Sequence, residues 1–251
     1  MIEVIYGRNP VLESLRAGRR EVRRLLVAQG VKEQGVIKDV LALARQHKVQ
    51  VSRVDRRQLD KLGQRINHQG IAAEVSEYPY AGPEEMLALA ESRKQPLWLL
   101  FLDCLQDPQN LGTLLRTAEV VGVHGVVIPD RRAVGVTPAV VSASSGACEH
   151  LLIAQVTNLT QAMRWFQERD VWFVGLEDVK GAGEVWQADL TGGLGIVVGS
   201  EGQGIRRLVR ETCDILVRLP MWGQINSLNA AVAGSIALYE AARQRSAKAT
   251  D

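Results

Sequence analysis

The sequence predicts an α/β protein in two parts: a mainly parallel sheet covered by helices on both faces, preceded by a smaller α/β unit. Three observations predict it. Continuous apolar runs such as PLWLLFLDCL, GVVIP, VWFVGLE and GLGIVVG alternate with helix-period segments, as strands buried on both faces of a parallel sheet do. The 251 residues exceed one ordinary domain, for which ~150 residues is the prior. Charge also divides the chain, since residues 1–78 hold 15 Lys+Arg against 9 Asp+Glu while residues 79–251 hold 15 against 19.

In the first part, Asn9 before Pro10 reads as an N-cap with proline at the first helical position, and Leu12, Leu15 and Gly18 fit a short helix and its stop. RRLLVAQG then reads as a strand, IKDVLALARQHK as a helix, VQVSRVD as a strand, RRQLDKLGQ as a helix and GIAAEVSEY as a strand. EYPYAGPEEM carries two prolines and a glycine, the punctuation of a linker. The expected division is therefore an N-terminal unit over 1–78, a linker over 79–95 and a larger domain over 96–251. In the larger part, strands and helices alternate from PLWLLFLDCL through NLGTLLRTAEVV, GVVIP, TPAVVSASS, LLIAQV, LTQAMRWFQER, VWFVGLE, GLGIVVG, GIRRLVRETC and DILVRLP. The final helix is SLNAAVAGSIALYEAARQR.

Composition narrows the class. At 46% hydrophobic and 23% charged, the chain is an ordinary globular one. No apolar stretch approaches the ~18–20 residues that span a bilayer, and MIEVIYGRNP lacks a secretory pattern, so a cytoplasmic protein with no membrane partner is expected. Cys104, Cys148 and Cys213 show no CxxC spacing, and His47, His68, His124 and His150 no HExxH spacing, so nothing asks for a metal. The basic first part suits a polyanion partner, or plain solvated helix faces.

Ligands of parallel sheets sit beyond the carboxyl ends of strands, and three loops there carry chemistry. In DPQNLGTLLR, Asn110 stands where a helix N-cap would, Leu111, Leu114, Leu115 and Ala118 make one apolar stripe, and Arg116 falls on the opposite side. Alone, this is a surface arginine and a routine cap. GIVVGSEGQGIRRL sets Gly199, Gly202 and Gly204 between strand and helix, with Glu201 among them. The order is GxxGxG, neither a P-loop nor the dinucleotide fingerprint, and alone it is a tight βα turn. In VRLPMWGQINSLN, Pro220 ends a strand, Met221 and Trp222 are apolar in a loop, Gly223 permits unusual dihedrals, and Ser227 or Asn226 can cap the last helix. Together the loops offer an arginine, a carboxylate, amides and a hydroxyl, a set suited to group transfer from an activated donor.

NLGTLLR, GSEGQG and LPMWGQINSLN, in this order and spacing, resemble the three motifs of the SpoU/TrmH family of RNA 2′-O-ribose methyltransferases of the SPOUT superfamily, over residues 96–245. Residues 1–78, opening YGRNPVLESL, are similar to the L30e-like RNA-binding extension of the bacterial branch that methylates a guanosine of 23S rRNA in the peptidyl-transferase P-loop. The resemblance implies a deep C-terminal trefoil knot, an exception to the rule against knotted chains, and a homodimer joined through the knot region. It implies S-adenosylmethionine as methyl donor, held by Gly199, Leu219 and Leu228 with Ile196, Met221 and Gly223. It implies a catalytic set of Arg116, Asn110, Glu201, Ser227 and Asn229, with Arg116 assisting loss of the ribose proton, and RNA contacts from Arg8, Asn9, Arg19, Arg20, Arg23 and Arg24. Leu219 stands where isoleucine is commoner, and Trp222 where a small residue is expected. The rival readings are a tRNA ribose methyltransferase, a non-catalytic RNA-binding protein of the same fold, and a nicotinamide dehydrogenase, for which the glycine order is wrong.

Overall fold

The computed structural model describes residues 2–62, 66–225 and 227–248. Along the chain run β1 (Ile2–Tyr6), α1 (Arg8–Ala17), β2 (Val22–Ala28), α2 (Val36–Gln46), β3 (Gln50–Val54), α3 (Arg56–Asp60) and β4 (Ile71–Ser76). Then come α4 (Pro83–Ser92), β5 (Trp98–Asp103), α5 (Pro108–Val121), β6 (Gly125–Pro129), α6 (Pro138–Ala143), β7 (Ile153–Val156), α7 (Leu159–Gln167) and β8 (Trp172–Leu176). The last stretch holds β9 (Gly183–Glu184), β10 (Leu194–Gly199), α8 (Arg207–Thr212), β11 (Ile215–Arg218) and α9 (Ala230–Lys248). They form two units, one of residues 1–79 with Val136–His150, the other of residues 80–135 with 151–251.

The smaller unit is a four-stranded sheet in the order β1-β4-β2-β3, antiparallel except for β2 and β3. Helix α1 starts two residues earlier than its sequence suggests: Gly7, at φ 99°, is the N-cap in place of Asn9, and Gly18 closes the helix in the left-handed region as expected. α2 buries Ile37, Val40, Leu41 and Ala44, one stripe at helical spacing. α3 is capped by Asp55, whose carboxylate accepts the Arg57 amide at 2.8 Å. Strand β1, too short to show a period, is an addition to the sequence reading. So is the excursion Val136–His150, which packs here and not with its sequence neighbours. Its Glu149 lies 3.1 Å from Arg20, and its Cys148 carbonyl accepts the Tyr78 hydroxyl at 2.8 Å.

In the larger unit, seven strands lie in the order β7-β6-β5-β10-β8-β11-β9, every recorded pair parallel. β5 (WLLFLD) and β10 (LGIVVG) are buried at every residue and pair in register from Trp98↔Leu194 to Asp103↔Gly199. Phe101 anchors the core, edge-on to Phe166 at 5.9 Å and Phe173 at 4.9 Å. The stretch expected as a linker holds α4, because Pro83 takes the first helical position and Glu85 accepts the Gly82 amide at 2.7 Å, while Met86 plugs the core. After β11 the chain returns as α9 to lie against α5 and β10. The approach is close because position 234 is glycine: a Cβ there would stand 2.6 Å from Leu114 and 3.1 Å from Val198.

Candidate functional site

The carboxyl ends of β5, β10, β8 and β11 carry the three loops, and one network of hydrogen bonds joins them. Glu201, in the loop after β10, accepts the Asn110 side-chain amide at 2.6 Å and the Asn229 side-chain amide at 2.5 Å. Asn229 also donates to the Asn110 carbonyl oxygen at 2.9 Å. The Asn229 carbonyl oxygen accepts the amides of Ala231 (2.9 Å) and Val232 (3.2 Å), so Asn229 is the cap of α9. A carboxylate acceptor makes these bonds stronger than neutral ones. Their contribution is to fix three chain segments, far apart in sequence, at one place.

Two expected caps are thereby corrected. The cap of α5 is Asp107, whose carboxylate accepts the Gln109 amide at 3.0 Å, and Asn110 sits inside the first turn, 7% exposed, freed for Glu201. Ser227 lies in the loop before α9, and Asn226 is outside the described residues.

The loop after β10 folds back on itself. Ser200 and Gly204 exchange backbone hydrogen bonds at 3.1 and 2.9 Å, and Gly202 and Gly204 have φ of 77° and 65°. A Cβ on Gly199 would stand 2.2 Å from the Gly204 backbone, so the hairpin requires glycine there. Asp103, fully buried at the end of β5, secures the far side by accepting the Arg206 amide at 2.8 Å and its Nε at 2.7 Å.

Beside this hairpin opens a cleft of about 380 Å³. Gly199, Glu201, Leu219, Met221, Ser227 and Leu228 line it. Three other residues of the expected site do not line it. Ile196 is 1% exposed in mid-strand, paired with Leu100 and Val174, and belongs to the core. Gly223 is exposed, outside the cleft lining, and not in the left-handed region, so its conformational freedom is unused. Arg116 is exposed on the outer face of α5 and does not line the cleft. It follows Asn110 by six residues, roughly 9 Å along the helix axis.

The cleft also contains residues absent from the expected site: Glu177 and Asp178, an acidic strand end that from sequence bears only on the dehydrogenase alternative, just beyond the end of β8, and Arg218 at the end of β11. Arg210 donates to Glu177 at 3.4 Å, and Arg218 stands 3.7 Å from Asp178. The acidic strand end VGLED was the available signal.

The basic residues expected to meet RNA divide. Arg8 and Asn9 line a concavity of about 490 Å³ with Arg56 and Gln69. Arg19 donates to the Pro79 carbonyl at 2.9 Å. Arg20 points inward, its side chain inaccessible, 2.7 Å from Glu3 and 3.1 Å from Glu149, which removes it from any RNA face. Arg23 and Arg24 stay partly exposed but pair with Glu21 at 3.2 Å and Glu74 at 2.5 Å. Among the described residues no cluster of three or more His, Cys, Asp or Glu could hold a metal ion, and no helix is long and apolar enough to cross a membrane.

An all-parallel sheet with strand-end loops tied around one cleft, in a chain that also carries a smaller α/β unit, is the SPOUT α/β arrangement. The model of the SpoU rRNA methylase family matches residues 98–239, and that of the RNA 2′-O ribose methyltransferase substrate-binding domain residues 4–81. YacO of Bacillus subtilis, assigned provisionally to the TrmH family of tRNA/rRNA methyltransferases, is 41% identical over 245 residues, 97% of this chain and 96% of that protein. An uncharacterized tRNA/rRNA methyltransferase of Mycolicibacterium vanbaalenii is 42% identical over 97% of this chain and 77% of its own. Among solved structures, the SpoU methyltransferase AviRb of Streptomyces viridochromogenes, in complex with AdoMet, superposes with a TM-score of 0.81 at 25% identity, covering 98% of this chain and 91% of that one. An RNA 2′-O ribose methyltransferase superposes at 0.77 and 27% identity, covering 97% and 89%. The chain belongs to the SpoU/TrmH family of RNA methyltransferases.

Proposed function

We propose that the chain transfers a methyl group from S-adenosylmethionine to the ribose 2′-hydroxyl of a guanosine in the peptidyl-transferase P-loop of 23S rRNA, and that it works as a homodimer. The observation that carries the reading is the Glu201–Asn110–Asn229 network at the rim of a cleft lined by Gly199, Leu219 and Leu228. The cleft suits the donor. Its ~380 Å³ falls in the range of small-molecule sites. Leu219, Met221 and Leu228 offer apolar walls to an adenine ring, and Glu177 and Asp178 offer acceptors to ribose hydroxyls. When bound, S-adenosylmethionine supplies an electrophilic sulfonium methyl.

The chain's own residues then have separable tasks. Asn110 and Asn229 hold the Glu201 carboxylate at the cleft edge, and Ser227 presents a hydroxyl to the ribose. The Arg116 guanidinium stabilises the ribose oxygen as its proton leaves. That task requires a second copy, because Arg116 lies outside its own chain's cleft. Trp186 (44% exposed), Val232 (46%) and Tyr239 (56%) line a shallow groove of about 540 Å³ with Thr113, one helical turn before Arg116, and Val120 further along α5 is 62% exposed. An apolar face of this kind, continuous with Arg116, fits self-association. The smaller unit supplies an RNA surface through Arg8, Asn9 and Arg56, and its match to a substrate-binding domain supports that role.

Radiolabelled transfer to protein-free large-subunit rRNA and to tRNA tests the assignment. Label in rRNA, recovered as 2′-O-methylguanosine, supports it; label in tRNA alone favours the tRNA reading, which the relatives' shared tRNA/rRNA naming keeps open.

A further inference from the structure

A second cavity of the larger unit, about 660 Å³, lies at the opposite end of the sheet from the cleft. Trp98 opens β5 and borders it, whereas Asp103 closes β5 beside the donor loops. Five residue steps of extended chain put the two ends roughly 17 Å apart. The lining contains Arg93, Lys94, Arg245 and Lys248 and, among the described residues, no carboxylate.

The base of this cavity is built and not merely open surface. His124 is 1% exposed; its Nδ1 accepts the Trp98 amide at 3.0 Å, so Nε2 carries the proton and donates to Gln95 at 3.1 Å. Burial, with the charges of Arg93 and Arg245, pushes its pKa down to about 4, which keeps it neutral. The Arg245 guanidinium lies 4.8 Å from the centre of the Trp98 ring and donates to the carbonyls of Leu190 (3.1 Å) and Gly192 (2.5 Å). Trp98 is only 4% exposed, and its indole N–H has no hydrogen-bond partner among the described residues, a cost that ordinary folding avoids. Asp189, whose charge reaches Arg245 and Lys248, is occupied by the Thr191 amide (2.9 Å) and hydroxyl (2.6 Å) and does not line the cavity. Cations at the end of α9 would complement its dipole without any ligand. The same holds for Arg93 and Lys94 at the end of α4, so what the two dipoles leave unexplained is that both pairs line one cavity, together with the orphaned indole donor.

We propose that this cavity is a second binding site, for a phosphorylated ligand of mononucleotide size: a free nucleotide, or one nucleotide of an RNA strand. Four cations lining one cavity are what a phosphate needs, and Pro96, Val121 and Ala242 give the remainder apolar walls. The site is independent of methyl transfer, so its failure would leave the cleft untouched.

The test is calorimetric titration of the full-length chain with GMP, with guanosine and with a short 5′-phosphorylated RNA, repeated for R93Q/K94Q/K248Q and for Trp98→Phe. A free-nucleotide site predicts saturable GMP binding, at least tenfold weaker guanosine binding, a loss of at least tenfold in the triple variant and a severalfold loss in Trp98→Phe. An RNA-strand site predicts weak GMP binding, but RNA affinity at least tenfold lower in the triple variant with a salt slope reduced by about 2–3. In either case S-adenosylmethionine binding at the other end stays within twofold. The proposal is overturned if the triple variant binds GMP and RNA within twofold of the unaltered chain, or if neither probe binds at all. Should circular dichroism show the triple variant misfolded, Lys94→Glu, on the exposed end of α4, is read against the same criteria.

Discussion

Asn229 does two things at once, capping α9 and holding Glu201, so its removal has two measurable effects. Asn229→Ala is expected to cost ~1 kcal/mol of stability from the lost cap, read as a lower urea midpoint, and to lower methyl transfer far more than that loss of folded protein explains. His124 gives a residue-scale pH signature. Its folded pKa of about 4 lies below the ordinary 6.5 because burial disfavours the imidazolium. The unfolded chain therefore binds the extra proton first, and stability present at pH 7 is lost as pH falls from about 6.5 towards 4. The loss is on the order of 3 kcal/mol, and urea titrations should show the slope flattened in His124→Gln. At this scale the sequence was informative about residue types and poor about their partners. Asn110 and Ser227 were read as caps because local pattern favours that, yet the amide of Asn110 is directed to a carboxylate 91 positions away. Only the fold supplies that neighbour.

Elements with long apolar runs were legible: β5, β6, β8 and β10 lie where the buried-strand pattern put them, and α5 buries the Leu111, Leu114, Leu115 and Ala118 stripe. Short or contextual elements were not. α4 hides behind prolines that start a helix as readily as they interrupt one, and nothing local marks Val136–His150 as belonging with the smaller unit. The RREVRR block misled for the same reason, since a charge count carries no direction and Arg20 is turned inward between Glu3 and Glu149. The Arg20–Glu149 pair lacks hydrogen-bond alignment, and burial raises the Glu149 carboxyl pKa against the lowering effect of Arg20. Arg20→Gln strands that carboxyl in the interior and is expected to destabilise the chain by about 3 kcal/mol. Because a raised folded pKa favours the protonated form, this loss grows as pH rises above the usual carboxylate range. Chemical denaturation at pH 5 and pH 8 measures it; an unchanged midpoint with weakened RNA binding would return Arg20 to the RNA surface.

For the whole molecule, the proposed role of Arg116, which does not line its own chain's cleft, makes assembly part of the proposed chemistry. Tyr239→Glu, placing a charge on the exposed α5/α9 face, is expected to shift sedimentation from dimer to monomer and to cut transfer at least a hundredfold. Donor binding, which needs only one chain's loops, should hold within a few fold. The two-part division and the three motifs were visible in the sequence, because charge and loop chemistry are written locally. The pairing of β10 between β5 and β8, which brings the motifs together, is a long-range fact of topology. The most direct test of that convergence is calorimetric titration of S-adenosylmethionine into the unaltered chain and into Leu228→Asp. Saturable binding at one site per chain, abolished by the substitution, is the expected result. No saturable heat from the unaltered chain, or equal binding by both, would contradict a donor cleft formed by these three loops.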